Sequence, residues 1–375
     1  MTLRLPDPGS PASRSGESMD RYCTVASEPE SPARKQSPAV RCRRQLSLRT
    51  TGVERSSGAH AAVTRDPMRV ELLATTGDAF VRVGVGARLQ GSGAQCLALD
   101  GDTVYVGCRG GGLKRSADGG DSFEDLPLPE PDVFSVAVSA ADGTVYAGTE
   151  PSRLFRSDDG GQSWEELVAL QEIPSRPDWS FPPRPWTSHV RWIAPSPHDR
   201  AVVLVGIELG GLMRTEDGGA SFSDHRPQAA RDVHCLAWHP SASGRAYEAG
   251  GDGAAWSRDG GCSWEKADAG RDRRYAWALA VDPADPERWF VSAAPGPFQA
   301  HGSRPSDSAI YRWEGSGPWQ AIEGPLDSHV YALASGGGQL FAGLGDGTLL
   351  QSEDGGESWS EMGERIGGVT ALAAT

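Results

Sequence analysis

The chain has 375 residues, with 48 glycines and 12 tryptophans but only 7% aromatic residues overall, and it carries a formal net charge of −14. Abundant glycine with tryptophan at a few special places is the balance of a turn-rich all-β protein rather than a helical one. The acidic charge disfavours binding to phosphate backbones, and no run of about 18 apolar residues is present to cross a membrane as a helix.

Residues 1–67 are rich in Ser, Pro and Arg, with clusters such as Arg41-Cys42-Arg43-Arg44 and no period of 2 or 3.6. Such a segment buries too little apolar surface to offset its ordering entropy and is expected to be disordered. Met68 is an alternative start, because the first strand pattern, Val70 to Thr75, begins two residues later. The opening Met1-Thr2-Leu3-Arg4-Leu5-Pro6 turns polar at once and lacks a signal peptide's apolar core, so a cytoplasmic location and a monomer are the expectations. None of the six cysteines shows CxxC or zinc-ribbon spacing.

From residue 68 onward one pattern recurs. It reads Ser116-Ala117-Asp118-Gly119-Gly120-Asp121-Ser122-Phe123, and returns around Asp159, Asp217, Asp259 and Asp354, closed each time by Phe or Trp. The aspartates are 41, 58, 42 and 95 residues apart. The last gap is about twice the unit, and Ile310 to Trp319 stands where a degenerate copy belongs, with the strand and closing Trp kept and the Asp-Gly-Gly core lost. A period of 40 to 50 residues with several short strands per unit reads as propeller blades. The chemistry of the motif is structural: a short carboxylate accepts amides of its own turn and the glycines supply positive φ. Five equivalent aspartates cannot share one active site, so none is read as catalytic or as a calcium ligand.

These residues resemble the Asp-box, or BNR, repeat of sialidases, xyloglucanase-type glycosidases, sortilin-like receptors and photosystem II assembly factors. The resemblance covers about residues 68–375 and implies a fold, not a function. Sialidases carry an Arg-Ile-Pro motif upstream of the first box, and nothing before Ser116 matches it. The Tyr311-Arg312-Trp313 segment resembles xyloglucanase-type enzymes, which use two propellers where this chain has one.

A second repeat, a small-apolar strand such as Val233-His234-Cys235-Leu236-Ala237, occurs seven times, and its seventh copy, Val369 to Ala373, has no blade after it. Val70 to Val81 resembles Gly338 to Leu349 and supplies the missing part, so the two chain ends are expected to share one blade. The fold expected is a single all-β, seven-bladed propeller over 68–375, with six blades as the alternative.

The Leu and Ala columns of this strand are uniform, as an innermost strand requires, but two columns at its start are not. One holds Gln95, Phe134, Arg191, His234, Trp277, Tyr331 and Thr370; the one before it holds Gly93, Asp132, His189, Asp232, Tyr275, His329 and Gly368. Packing alone would not select such residues, so they are expected to ring one mouth of the channel. Loops carrying Arg109, Glu150, Arg153, Glu208, Asp252 and Asp346 should open on the same face, together with a long loop bearing Phe298 and His301 and an insertion bearing Trp179, Phe181 and Trp186.

Three functions follow. A binding or assembly module would grip a protein, carbohydrate or small ligand with Trp186, His189, Arg191, His234, Tyr275, Trp277, His301, His329 and Tyr331. A glycoside hydrolase or lyase would use a carboxylate pair among Asp132, Asp232 and Glu208, with Trp186 and Trp277 as sugar platforms. A metal-dependent hydrolase of lactonase type would hold a divalent ion with His189, His234 and His329 and Asp132 or Glu208.

Overall fold

The computed structural model describes residues 70–181, 187–302 and 305–375. The extension expected over 1–67 and the start at Met68 lie outside these residues. From Leu72 to Ala374 the chain forms seven small antiparallel sheets, six of four strands and one of three. The inner strands are Ala94–Asp100, Val133–Val138, Val190–Pro195, Val233–Trp238, Tyr275–Val281, Val330–Gly336 and Ala371–Ala374. Each touches the inner strand of the next sheet, and Ala371–Ala374 touches both Val330–Gly336 and Ala94–Asp100, which closes the ring. The molecule is a seven-bladed β-propeller, and the six-bladed alternative is excluded.

We number the blades from the one shared by the chain ends. In blade 1 Leu72–Thr75 pairs with Ala371–Ala374 in the register Leu72↔Ala374 to Thr75↔Ala371, and Phe80–Arg82 and Gly86–Arg88 follow outward. The closure expected from the sequence is therefore present, and it removes an open sheet edge. Blade 6 keeps four strands despite its degenerate motif, because Trp319 buries against Trp289 and donates Nε1–H to the carbonyl of Ala267 at 2.6 Å.

The blades meet through glycine. A Cβ at Gly107, Gly148 or Gly206 on a second strand would lie 2.4 to 2.7 Å from a side-chain atom of the valine that opens the next inner strand, Val133, Val190 or Val233, and one at Gly343 would lie 2.4 Å from Val369, two residues before the inner strand of blade 1. Only a bare Cα lets these strands approach so closely.

The five Asp-Gly-Gly turns are alike. Asp118 Oδ1 accepts the amides of Asp121 (3.0 Å) and Ser122 (2.9 Å) and the Ser116 hydroxyl (2.6 Å), while Oδ2 accepts the Ser122 hydroxyl (2.6 Å). Gly120, at φ +93°, abuts Phe80 of the preceding blade, and Gly161 abuts Leu126 in the same way. Each turn is thus both a staple within its blade and a wedge against its neighbour. Third-strand arginines add a tie across the seam: Arg115 donates to the Gly160 carbonyl (2.9 Å) and Arg156 to that of Gly218 (3.1 Å). Cys96, Cys108 and Cys235 are free thiols.

Candidate functional site

The strand pairing puts the Asp-Gly-Gly turns and the first hairpin of each blade on one face. The starts of the inner strands and the loops between second and third strands lie on the other. At the start of the inner strand, six blades carry a β-bulge. The register skips between Ala94 and Cys96, Val133 and Ser135, Val190 and Trp192, Val233 and Cys235, Ala276 and Leu279, and Val330 and Ala332. The residues inside these bulges include Gln95, Phe134, Arg191, His234, Trp277 and Tyr331, the irregular column of the sequence. A bulge re-aims its side chain out of the pleat. Gln95, Phe134, Arg191 and Thr370 line one axial cavity of about 280 Å³. Arg191 lies over Trp277 at 4.8 Å from the ring centroid, and Trp277 packs against His234 (4.3 Å) and Tyr331 (5.5 Å).

Glu208, in the second-to-third-strand loop of blade 4, is the hub of the mouth. Its Oε2 accepts Nε2–H of buried His189 at 2.6 Å and lies 3.6 Å from Arg191 Nε. Burial would raise this carboxyl, but the His189 hydrogen bond and the Arg191 guanidinium outweigh it and hold the pKa at about 2. His189 is stacked on Phe134 (4.1 Å) and meets Phe181 edge-on (5.0 Å), so the insertion contributes to the wall of the mouth through Phe181. Trp179 instead buries in the core with Leu170 and Ile173, and Trp186 lies outside the described residues.

On the far side, His301 bridges two tyrosines. Tyr331 donates its hydroxyl to the Ala300 carbonyl (3.1 Å) and therefore accepts from His301 Nδ1 (2.9 Å), leaving Nε2 to accept from Tyr275 (2.9 Å). This tautomer is neutral, and desolvation pushes the imidazole below its usual pKa. His329 donates Nδ1–H to Ser308 (3.0 Å), and burial drives its pKa down to about 3.

Of the three candidate carboxylates, Glu208 and Asp232 come together and Asp132 does not join them. Among the described residues the one group of three that could hold a metal ion is Glu208, Asp232 and His234, with ligand atoms within 4.8 Å of one another. The two other histidines of the trio expected from the sequence are not in this group: His189, at the start of blade 4, meets Glu208 through Nε2, and His329, at the start of blade 7, meets Ser308 through Nδ1. The sequence offered no signal for the bulges beyond the irregular column itself.

No protein-family model matches the chain, and no curated protein does. Among solved structures it is similar to the GH74 enzyme of Niastella koreensis (14% identity, TM-score 0.56, covering 78% of this chain and 46% of that one). It is similar to the GH74 xyloglucanase from Xanthomonas campestris (17%, 0.55, 79% and 47%) and to YCF48 bound to D1 peptide (19%, 0.51, 80% and 87%). The chain spans less than half the length of those GH74 chains. At these identities the likeness shows the propeller fold alone.

Proposed function

We propose that this chain is an Asp-box propeller that serves as a binding or assembly module and grips a partner polypeptide with its mouth face. The observation that carries this is where apolar side chains stand exposed. Of the four large ones exposed among the described residues, Val168, Leu209 and Phe298 belong to loops of the mouth face. Phe298, 62% exposed, sits one helical turn from His301 above the aromatic cluster. Exposed apolar anchors around a fixed polar floor are the usual anatomy of a protein-binding patch. YCF48, similar in fold and length, has been solved bound to D1 peptide, which agrees with this use of the scaffold.

The approach of Glu208 and Asp232 favours one second reading, a glycoside hydrolase or lyase. It is the weaker one. Glu208 is engaged by His189 and held ionised, so it cannot be the proton donor. Trp277, the sugar platform of that reading, has Arg191 over its ring and His234 against it.

Selection of a random displayed peptide library on the intact chain tests the proposal. Enriched peptides should bind with micromolar affinity and lose at least tenfold on Phe298→Ser. Failure to enrich any peptide would overturn it, and xyloglucan oligosaccharide cleavage abolished by Asp232→Asn would install the second reading.

A further inference from the structure

His234 is fully buried inside the bulge of blade 5, and its two ring nitrogens have different fates. Nδ1 lies 2.7 Å from the carbonyl oxygen of Ala276. A carbonyl only accepts, so Nδ1 carries the proton. In the neutral ring Nε2 then bears a lone pair, and it has no hydrogen-bond partner. What faces it, at 3.3 Å, is Oδ1 of Asp232, another lone pair. A cation between the buried Nε2 and the partly exposed Asp232 Oδ1 would be bonded by both.

Glu208 stands on the third side. His189 and Arg191 both address its Oε2, so neither engages Oε1. The three ligand atoms already lie within 4.8 Å of one another. An ion bonded to imidazole nitrogen and carboxylate oxygen at about 2.0–2.2 Å holds its ligand atoms about 3–4 Å apart, so small side-chain rotations close the set. Two carboxylates against one guanidinium leave the pocket net negative, and Arg191 spreads its charge over the Trp277 ring. We propose that His234 Nε2, Asp232 and Glu208 form a binding site for a single first-row divalent transition-metal ion, with its remaining positions open toward the channel mouth. One imidazole with two carboxylates suits zinc, manganese or cobalt rather than calcium, whose shell is all oxygen. Three protein ligands with an open position is the arrangement of a metal that can take a further ligand from solution or from a partner. The site stands independently of the partner-binding reading.

The test uses the full chain, stripped with chelator and titrated with Zn2+ by calorimetry and with Co2+ by visible absorption. Expected are a site of micromolar or tighter affinity for Zn2+ and cobalt d–d bands. Asp232→Asn, a mild change at a partly exposed position, should weaken Zn2+ at least tenfold and bleach the cobalt spectrum. His234→Ala should do the same. Unchanged Zn2+ affinity and cobalt bands in folded Asp232→Asn would place the bound ion elsewhere and overturn the proposal. Histidine-selective NMR showing His234 as an imidazolium at neutral pH with Zn2+ present would also overturn it, because a proton would then fill the gap. Peptide binding that persists in the stripped chain leaves the partner-binding reading intact whichever way the metal titration falls.

Discussion

Ser292, on the second strand of blade 6, donates its hydroxyl to the carbonyl of Val330 at the bulge of blade 7 (2.9 Å) and accepts the amide of Ala278 (3.0 Å). The carbonyl just before the bulged residue is taken up by the preceding blade at three other seams as well. Gln95 reaches Val133 (2.7 Å), Ser135 reaches Val190 (2.8 Å) and His234 reaches Ala276 (2.7 Å). The bulges that build the mouth are thus tied to the seams that hold the ring. Ser292→Ala removes one oxygen and strands two buried polar groups. It should cost about 1–3 kcal/mol in chemical denaturation, and a loss below a few tenths would mean that the seam does not depend on this bond.

Gly206 marks a second kind of seam contact. Its missing Cβ would meet Val233 Cγ1 at 2.4 Å, with Leu236 also near. Gly206→Ala should destabilise by about 1–3 kcal/mol through overpacking. The pair Gly206→Ala with Val233→Ala should recover part of that loss if the clash is the cause, which a double-mutant cycle reads directly.

Blade number, ring closure and the role of the Asp-Gly-Gly turns were legible in the sequence because each repeats, and repetition is visible without coordinates. The irregular column was legible too, as a departure from uniform Leu and Ala positions. Its partnerships were not. Glu208 pairs with His189 nineteen residues away, whereas His234 stacks on Trp277 forty-three residues away, across a seam. Which of two ring nitrogens faces a carboxylate depends on a bulge, and no spacing records a bulge. Column position gives the blade of each histidine but not the direction of its ring.

The Asp-Gly-Gly turns should make the protein acid-sensitive. The Ser358 hydroxyl and amide and the Ser352 hydroxyl hold Asp354 at about 2, and Asp118 and Asp159 are likewise lowered by their serines. A carboxyl whose folded pKa is depressed contributes stability above its unfolded pKa, about 3.9, and loses it as pH falls through the folded value. Melting temperature should therefore drop steeply between about pH 4 and pH 2. Asp354→Asn should melt lower at neutral pH and show a shallower acid slope, and an unchanged slope would contradict the assignment.

Glu248 should act in the opposite sense. It is fully buried on the second strand of blade 5, with Oε2 accepting the Ala230 amide (2.8 Å) and Oε1 without a partner. Burial raises its pKa to about 8, against the smaller lowering pull of the Ala230 amide and Lys266. The folded state holds this proton where the unfolded chain has released it. Stability from this group is fully present below the unfolded pKa of about 4.3 and is lost as pH rises toward 8, by about 1.4 kcal/mol per pH unit. Glu248→Gln should flatten the stability profile between about pH 4.3 and pH 8, and an unaltered profile would mean that Glu248 is ionised in the fold.

The C-terminal strand looks like a tail and should behave as a keystone. Ala371–Ala374 supplies the inner strand of blade 1, Val369 fills the space over Gly343, and the Thr370 hydroxyl meets that of Thr75 at 2.9 Å. Removing residues 369–375 bares the edge of Leu72–Thr75 and opens the flank of blade 7, which invites pairing with other chains. The truncated chain should lose its cooperative melt and associate in gel filtration. A synthetic peptide of residues 368–375 added in excess should restore the monomer and the melt, because the strand is needed for its pairing and not for its covalent link. A truncated chain that melts like the full one would mean that blade 1 holds with three strands and that ring closure contributes little.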